Sequence, residues 1–66
     1  MEKDFKDVMQ GNYFSYELFN NQFIQCIKKT SKTALVLIDD KENFIMYFSK
    51  NEKVKELNRV YIPYID

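Results

Sequence analysis

Residues Thr33 to Lys50 read TALVLIDDKENFIMYFSK and carry the strongest structural signal in this chain. Two apolar runs, Ala34 to Ile38 and Phe44 to Phe48, flank five polar residues from Asp39 to Asn43. Both runs contain β-branched or aromatic side chains, which fit a pleated, half-buried surface, and neither is long enough for a typical helix. This stretch therefore predicts a β-hairpin.

The predicted hairpin is apolar on both sides. In its first strand Ala34, Val36 and Ile38 lie on one face, and Leu35 and Leu37 lie on the other. The second strand alternates apolar residues in the same way. Strands that are apolar on both faces are normally covered on both faces. The hairpin is therefore expected in a central position, in a small closed barrel, or with one face left for a partner.

The first ten residues, Met1 to Gln10, predict a short helix. Phe5, Val8 and Met9 are spaced so that they share one helical face, and acidic residues near the start suit the helix dipole. Gly11 follows where helices commonly end. A helix this short is not stable alone. We expect its apolar face to pack on the sheet, with a partner-binding arm as the alternative.

Residues Asn12 to Lys29 fit two structures. As strands, Tyr13 to Phe19 and Gln22 to Ile27 are joined by an Asn-Asn pair, a residue type that tolerates the positive φ of a two-residue turn. As a helix, Ser15 caps a segment whose apolar residues recur at helical spacing. Aromatic and β-branched side chains lose freedom in helices, which favours the strands, and the helix is kept as the alternative.

The C-terminal part predicts one helical turn followed by a strand. Over Asn51 to Asn58, an N-capping asparagine precedes Val54 and Leu57, which are three residues apart as on one helical face. Arg59 to Ile65 then alternates as a strand does. Pro63 cannot donate a hydrogen bond to a neighbouring strand, so this last strand is expected at an edge of the sheet.

Together these elements predict a single domain over residues 1–66. Its class is α+β and mainly antiparallel β, with four to five strands, a short N-terminal helix and a helical turn before the last strand. We expect a small meander or a partly open barrel. Short loops and a helical turn before the last strand resemble the element order of small SH3-like barrels, a fold that hosts many functions.

The composition argues against catalysis and against bound metals or cofactors. The chain has no His, and Cys26 is its single cysteine, so the usual zinc ligand sets and an internal disulfide are impossible. Asp39, Asp40 and Glu42 match no calcium-loop spacing and are interpreted as a solvated turn. Cys26 stands among apolar residues and is interpreted as core. We therefore expect a protein that is not an enzyme and has no cofactor.

The charge and hydropathy patterns indicate where the protein acts. The longest apolar run is five residues, against about 20 for a membrane span, and the N-terminus does not resemble a secretory leader. A cytoplasmic protein without membrane contact is expected.

The charges are unevenly distributed along the chain. Ten basic and ten acidic residues cancel, but Lys28, Lys29 and Lys32 precede the acidic loop Asp39 to Glu42, and more basic residues follow it. One end of the sheet is therefore expected to be basic and the other acidic.

Protein binding is the function that the composition favours. Six Phe and five Tyr exceed what so small a core hides, and Tyr is enriched at interface hot spots. The candidate partner-binding residues are Tyr13, Phe14, Tyr16, Tyr61 and Tyr64. An exposed edge strand can also pair with its copy in a symmetric dimer. Small domains rich in Lys, Asn, Ile, Phe and Tyr are typical of phage or plasmid accessory proteins, so we expect an inhibitor or modulator of a host protein.

The alternative function is binding of single-stranded DNA or RNA on a small barrel. Aromatic side chains that stack on bases, interleaved with cations that reach phosphates, are typical of such proteins. The candidate residues are Tyr47, Lys50, Lys53, Lys55, Arg59 and Tyr61. The zero net charge argues against this alternative.

Overall fold

The chain folds into an open, antiparallel β-sheet. A computed structural model describes the backbone of residues 2–19 and 21–60 and the side chains of these residues up to 57. Over this part the elements are a 3₁₀ turn, Phe5–Asp7, and the strands β1 (Glu2–Asp4), β2 (Asn12–Glu17), β3 (Phe23–Lys28), β4 (Thr33–Ile38), β5 (Lys41–Tyr47) and β6 (Lys53–Val60). The strand order is β1-β6-β2-β3-β4-β5. All of these strand pairs are antiparallel, which confirms the prediction of a mainly antiparallel sheet. β1 and β5 lie at opposite ends of the sheet and do not pair, so the predicted barrel is not confirmed.

The hairpin predicted within Thr33 to Lys50 is confirmed as β4 and β5, although its loop is shorter than expected and β5 lies at an edge of the sheet. Ile38 pairs with Lys41, so the turn consists of Asp39 and Asp40 alone, whose φ angles are +53° and +62°. Two consecutive positive φ values are typical of the type I′ turn, whose twist matches that of the flanking strands. The three polar residues after the turn extend β5. One of them, Asn43, is the extra residue of a bulge.

Residues 12–28 form strands, as favoured, rather than a helix. β2 and β3 pair from Tyr13 opposite Ile27 to Glu17 opposite Phe23. The loop between them is closed by the Leu18 N–H, which donates to the Gln22 carbonyl at 2.8 Å. The strand reading succeeds because this aromatic-rich segment is buried on alternating sides of an internal strand.

The predicted N-terminal helix is wrong. Residues 2–4 form β1, which pairs with β6, and a single 3₁₀ turn follows. Phe5 and Val8 are both buried, so the apolar spacing is satisfied without a helix. Gly11, at φ +91°, serves the turn into β2, and its N–H donates to the Lys28 carbonyl at 2.8 Å. A ten-residue helix is weak by itself, and strand pairing replaces it.

The predicted helical turn before the last strand is also wrong. β6 runs through this segment and lies between β1 and β2. Val54 packs in one core cluster, whereas Leu57 packs against the other, as expected for residues an odd number apart on a strand. Of the predicted last strand, Arg59 to Ile65, the structure describes residues 59–60 only, so its expected edge position stays a prediction. Pro63, which suggested the edge, lies outside the described residues.

Apolar side chains form a core on each face of the sheet. One cluster consists of Phe5, Val8, Phe14, Cys26, Ala34, Val36, Phe48 and Val54. Its Phe5 and Phe48 rings stack with centroids 4.7 Å apart, and Phe14 meets both edge-on. The opposite cluster consists of Tyr13, Ile27, Leu35 and Leu37. β4 is thus covered on both faces, as its sequence predicted. Within the part of the chain described here, no helix has the length and apolar character to cross a membrane.

Candidate functional site

Three of the five aromatic residues predicted to bind a partner are described, and all three are buried or half-buried. Phe14 is completely buried and Tyr13 is 8% exposed, because they point to opposite faces of the internal strand β2. Tyr16 is half-buried, and its hydroxyl donates to Glu52 Oε2 at 2.7 Å, a hydrogen bond that raises the pKa of the phenol. Tyr61 and Tyr64 lie outside the described residues. The structure therefore assigns Tyr13 and Phe14 to the core, which corrects their predicted place on a surface.

The exposed apolar surface lies on β5 instead. Phe44 and Ile45 are 48% and 49% exposed, and Tyr47 is 78% exposed. Phe19 and Phe23, at the β2–β3 turn, are exposed as well. Several aromatic side chains are therefore left outside the core, as expected, but they are different residues from those that the sequence suggested. Its signal in the sequence was the two-sided apolar pattern of residues 44–48.

β5 is also an open edge of the sheet. Among the described strands it pairs with β4 alone. The Phe48 N–H donates to the Lys32 carbonyl at 2.8 Å, and opposed residues of antiparallel strands alternate between bonded and non-bonded pairs. Phe44 and Met46 therefore bond to β4, whereas the backbone groups of Ile45 and Tyr47 point away from it. These N–H and C=O groups are available to another strand.

The opposite edge, β1, is protected. It has three residues, all of them charged. Lys3 Nζ lies 2.5 Å from Glu56 Oε1 on β6, and Asp4 pairs with Lys53. Short edge strands with charged side chains resist pairing with other chains, whereas long apolar edges invite it. β5 begins with Lys41, Glu42 and the bulge at Asn43, which protect that end in the same way, so the unprotected part of this edge is its apolar stretch from Phe44 to Tyr47.

A groove lies at the turn end of the β4–β5 hairpin. It has a volume of about 380 Å³ and is lined by Phe23, Ile24, Gln25, Leu37, Ile38, Asp39 and Asp40. Four of its lining residues are apolar, and the other three are Gln25 and the exposed turn residues Asp39 and Asp40. We call this feature the acidic groove. It combines an apolar lining with negative charge, which suits an apolar side chain next to a basic one.

The residues of the nucleic-acid alternative are only partly suited to that role. Tyr47 and Lys50 are exposed, and so is Lys55. Lys53 is paired with Asp4, and this hydrogen bond raises the pKa of the lysine. The lysine stays positively charged, but its charge is offset by the adjacent carboxylate. The side chain of Arg59 and all of Tyr61 lie outside the described residues. The paired lysine therefore weakens the predicted phosphate-binding set.

The described residues offer little chemistry for catalysis. The Cys26 side chain is completely buried, and this burial raises the pKa of its thiol to about 12, so almost no thiolate exists at neutral pH. Asp39 and Asp40 are exposed in a tight turn. No group of three or more His, Cys, Asp or Glu among the described residues is placed to hold a metal ion.

Comparisons with models of protein families, with curated proteins and with solved structures found no match to this chain. The features of the molecule that bear on its function are the exposed edge strand β5, the acidic groove and the distribution of lysines.

Proposed function

We propose that this chain is a non-catalytic protein-binding module that adds a strand of its partner to the β5 edge. The observation that carries the proposal is that one strand combines exposed apolar side chains with backbone groups that no other described strand pairs with. Ile45 and Tyr47 direct their backbone groups away from β4, and their side chains are among the most exposed apolar groups described. Strand addition uses both: main-chain hydrogen bonds supply affinity, and alternating side chains supply specificity.

The side chains of β5 would contact the partner on both faces of the extended sheet. Ile45 and Tyr47 lie on the face of the Tyr13 cluster, and Phe44 and Met46 lie on the face of the Phe14 cluster. A partner strand with apolar residues on both faces therefore matches this edge. The nearby acidic groove adds a preference for an apolar anchor flanked by Lys or Arg.

A second copy of the chain is the other partner considered for this edge. The exposed parts of Phe44 and Tyr47 together amount to roughly 250 Å², whereas a standard interface buries about 800 Å² on each partner. A dimer through β5 alone is therefore expected to be weak. A different protein that contacts both β5 and the acidic groove is favoured.

Occupation of a strand edge explains how so small a protein acts on a larger one. A segment held against β5 is no longer free to pair elsewhere, so binding itself blocks the partner. This fits the inhibitor or modulator of a host protein expected from the composition, in the manner of phage or plasmid accessory proteins. The proposal requires no catalytic group.

The test compares Ile45→Lys with Met9→Lys. Both variants place a lysine at an exposed apolar position, but only Ile45 is on the β5 edge. A partner captured from the native host and then purified should lose binding to Ile45→Lys and keep binding to Met9→Lys. In the wild-type complex, the amides of Ile45 and Tyr47 should gain protection from hydrogen exchange.

Unchanged exchange at Ile45 and Tyr47 in the complex, or equal binding by the two variants, would refute strand addition at β5. Gel filtration over a range of concentrations tests the dimer. A species of twice the 8.0 kDa chain mass that disappears in Ile45→Lys would identify a second copy as the occupant.

A further inference from the structure

A second cavity, at the opposite end of the β4–β5 hairpin, is lined by lysines. Its volume is about 450 Å³, within the range of small-molecule sites. Four lysines line it together with Ser31, Ser49 and the Phe48 ring; they are Lys6, Lys28, Lys32 and Lys50. We call this feature the lysine pocket. It lies at the basic end that the sequence predicted, and the Asp39–Asp40 turn lies at the other end of the same two strands.

Three separate segments build the lysine pocket, and backbone hydrogen bonds hold them together. The Lys6 N–H donates to the Lys50 carbonyl at 3.0 Å, and the Phe48 N–H donates to the Lys32 carbonyl at 2.8 Å. The 3₁₀ turn, the β3–β4 connection and the chain after β5 are thereby fixed against one another. The pocket is therefore formed before any ligand binds, which lowers the entropic cost of binding.

The buried Lys28 organises the pocket and does not itself reach a ligand. Its ammonium donates to the carbonyls of Phe5 and Val8, both at 2.8 Å, and approaches that of Lys6 at 3.4 Å. These three acceptors account for its three protons. Lys28 thereby ties the N-terminal segment to β3, so that Lys6 stands at the rim.

Two of the remaining lysines, Lys32 and Lys50, are exposed and form no ion pair among the described residues. Lys6 is also exposed, and its only recorded carboxylate neighbour in the described part of the chain is Asp4, which is paired with Lys53. No acidic residue lines the pocket, and Asp7 and Glu56, which act on Lys28, are both outside the lining. Like charges gathered around a concavity repel one another unless an anion binds between them.

From this arrangement we infer that the lysine pocket binds a phosphate-bearing anion. Lys6, Lys32 and Lys50 bring three ammonium groups to the set of residues that line the cavity, and the two serines bring hydroxyls. A phosphate or diphosphate group offers several charged acceptor oxygens to such donors. Most of the lining surface is apolar, as expected from lysine stems and the buried Phe48. Free phosphates and the backbone of a single-stranded nucleic acid share this chemistry. The inference is independent of the proposed protein binding at β5.

The test uses two variants that each remove two positive charges. Lys32→Gln with Lys50→Gln alters the lysine pocket, whereas Lys41→Gln with Lys55→Gln alters exposed lysines elsewhere. Titration of the wild-type protein with inorganic pyrophosphate, followed by the amide signals of Ser31 to Lys32 and Ser49 to Lys50, should show saturable shifts. The pocket variant should raise the Kd by roughly tenfold or more, since two charge-assisted contacts are lost.

The control variant should change the Kd by less than about threefold, because its lysines do not line the pocket and salt screens exposed charges that make no direct contact with the ligand. Absence of saturable binding, or equal weakening in both variants, would overturn the inference. A short oligothymidylate distinguishes the sources of phosphate. If it binds and pyrophosphate displaces it at the same signals, nucleic acid is the ligand; if only pyrophosphate binds, the ligand is a small phosphate compound.

Discussion

Replacing Lys28 by Met tests whether a buried ammonium holds the N-terminal segment on the sheet. Met keeps most of the apolar stem but cannot donate hydrogen bonds. The substitution removes this donor from the Val8 and Phe5 carbonyls, each 2.8 Å from Nζ, but the Phe5 carbonyl still accepts from the Val8 N–H at 3.1 Å. A buried carbonyl left without a partner costs about 1–3 kcal/mol, and a lost hydrogen bond to a charged group costs about 1.5–3 kcal/mol. The substitution also removes a destabilising contribution, because burying the charged ammonium of Lys28 costs desolvation free energy. The same burial lowers the pKa of Lys28.

The expected net loss is about 2–3 kcal/mol in the free energy of unfolding. A chain of 66 residues has a total stability of about 3–10 kcal/mol, so the loss is a large fraction of it. In urea unfolding at pH 7, with a slope of about 1 kcal/mol/M, the midpoint should fall by about 2–3 M. The amides of Phe5 to Val8 should also exchange faster, because this segment is the one released.

The matched control is Lys41→Met, which makes the same chemical change at an exposed position on β5. It should alter the unfolding free energy by less than about 0.5 kcal/mol. If Lys28→Met unfolds at the wild-type midpoint or above it, the hydrogen bonds of Lys28 do not outweigh its desolvation. The reasoning about the N-terminal segment would then be refuted.

Three further predictions concern protons and the hairpin turn. Because the pKa of Cys26 rises to about 12, the folded state keeps a proton that the unfolded state loses above pH 9; stability should fall by about 1.4 kcal/mol at pH 10, and urea midpoints should show a smaller fall for Cys26→Ala. The hydrogen bond from Lys3 lowers the pKa of Glu56, so its contribution holds above pH 4.5 and is lost as pH falls through the folded-state value. Glu56→Gln should therefore cost about 1 kcal/mol at pH 7 and less as the pH falls below 4.5; an equal cost at neutral and acidic pH would contradict this. Asp40→Gly should raise the thermal midpoint and Asp40→Val should lower it, because φ is +62° there; the reverse order would exclude the type I′ turn.

Local sequence patterns were sufficient for the two hairpins and for the buried position of Cys26. The apolar runs on either side of Asp39 and Asp40 identify β4 and β5, because strand propensity and turn tolerance act between near neighbours. The aromatic content of residues 13–28 favours strands for the same reason. Cys26 was correctly assigned to the core from its apolar neighbours alone.

Local patterns failed where a contact distant in sequence supplied the structure. The spacing of Phe5 and Val8 suggests a helix, but β6 offers strand pairing to the residues just before them. Val54 and Leu57 suggest a helical turn, yet β1 and β2 bond to this segment from both sides. In each case many tertiary hydrogen bonds and buried contacts outweigh a weak helical preference.

The candidate sites divide in the same way. The two-sided apolar pattern at residues 44–48 and the surplus of aromatic rings can be recognised in the sequence alone. Strand order and packing are needed to show that β5 is an edge and that Tyr13 and Phe14 are core. They also bring Lys6 together with Lys32 and Lys50 around one cavity. Propensity is a property of neighbouring residues, whereas strand order is selected by the burial that the whole chain achieves, and it is strand order that exposes one strand and hides another.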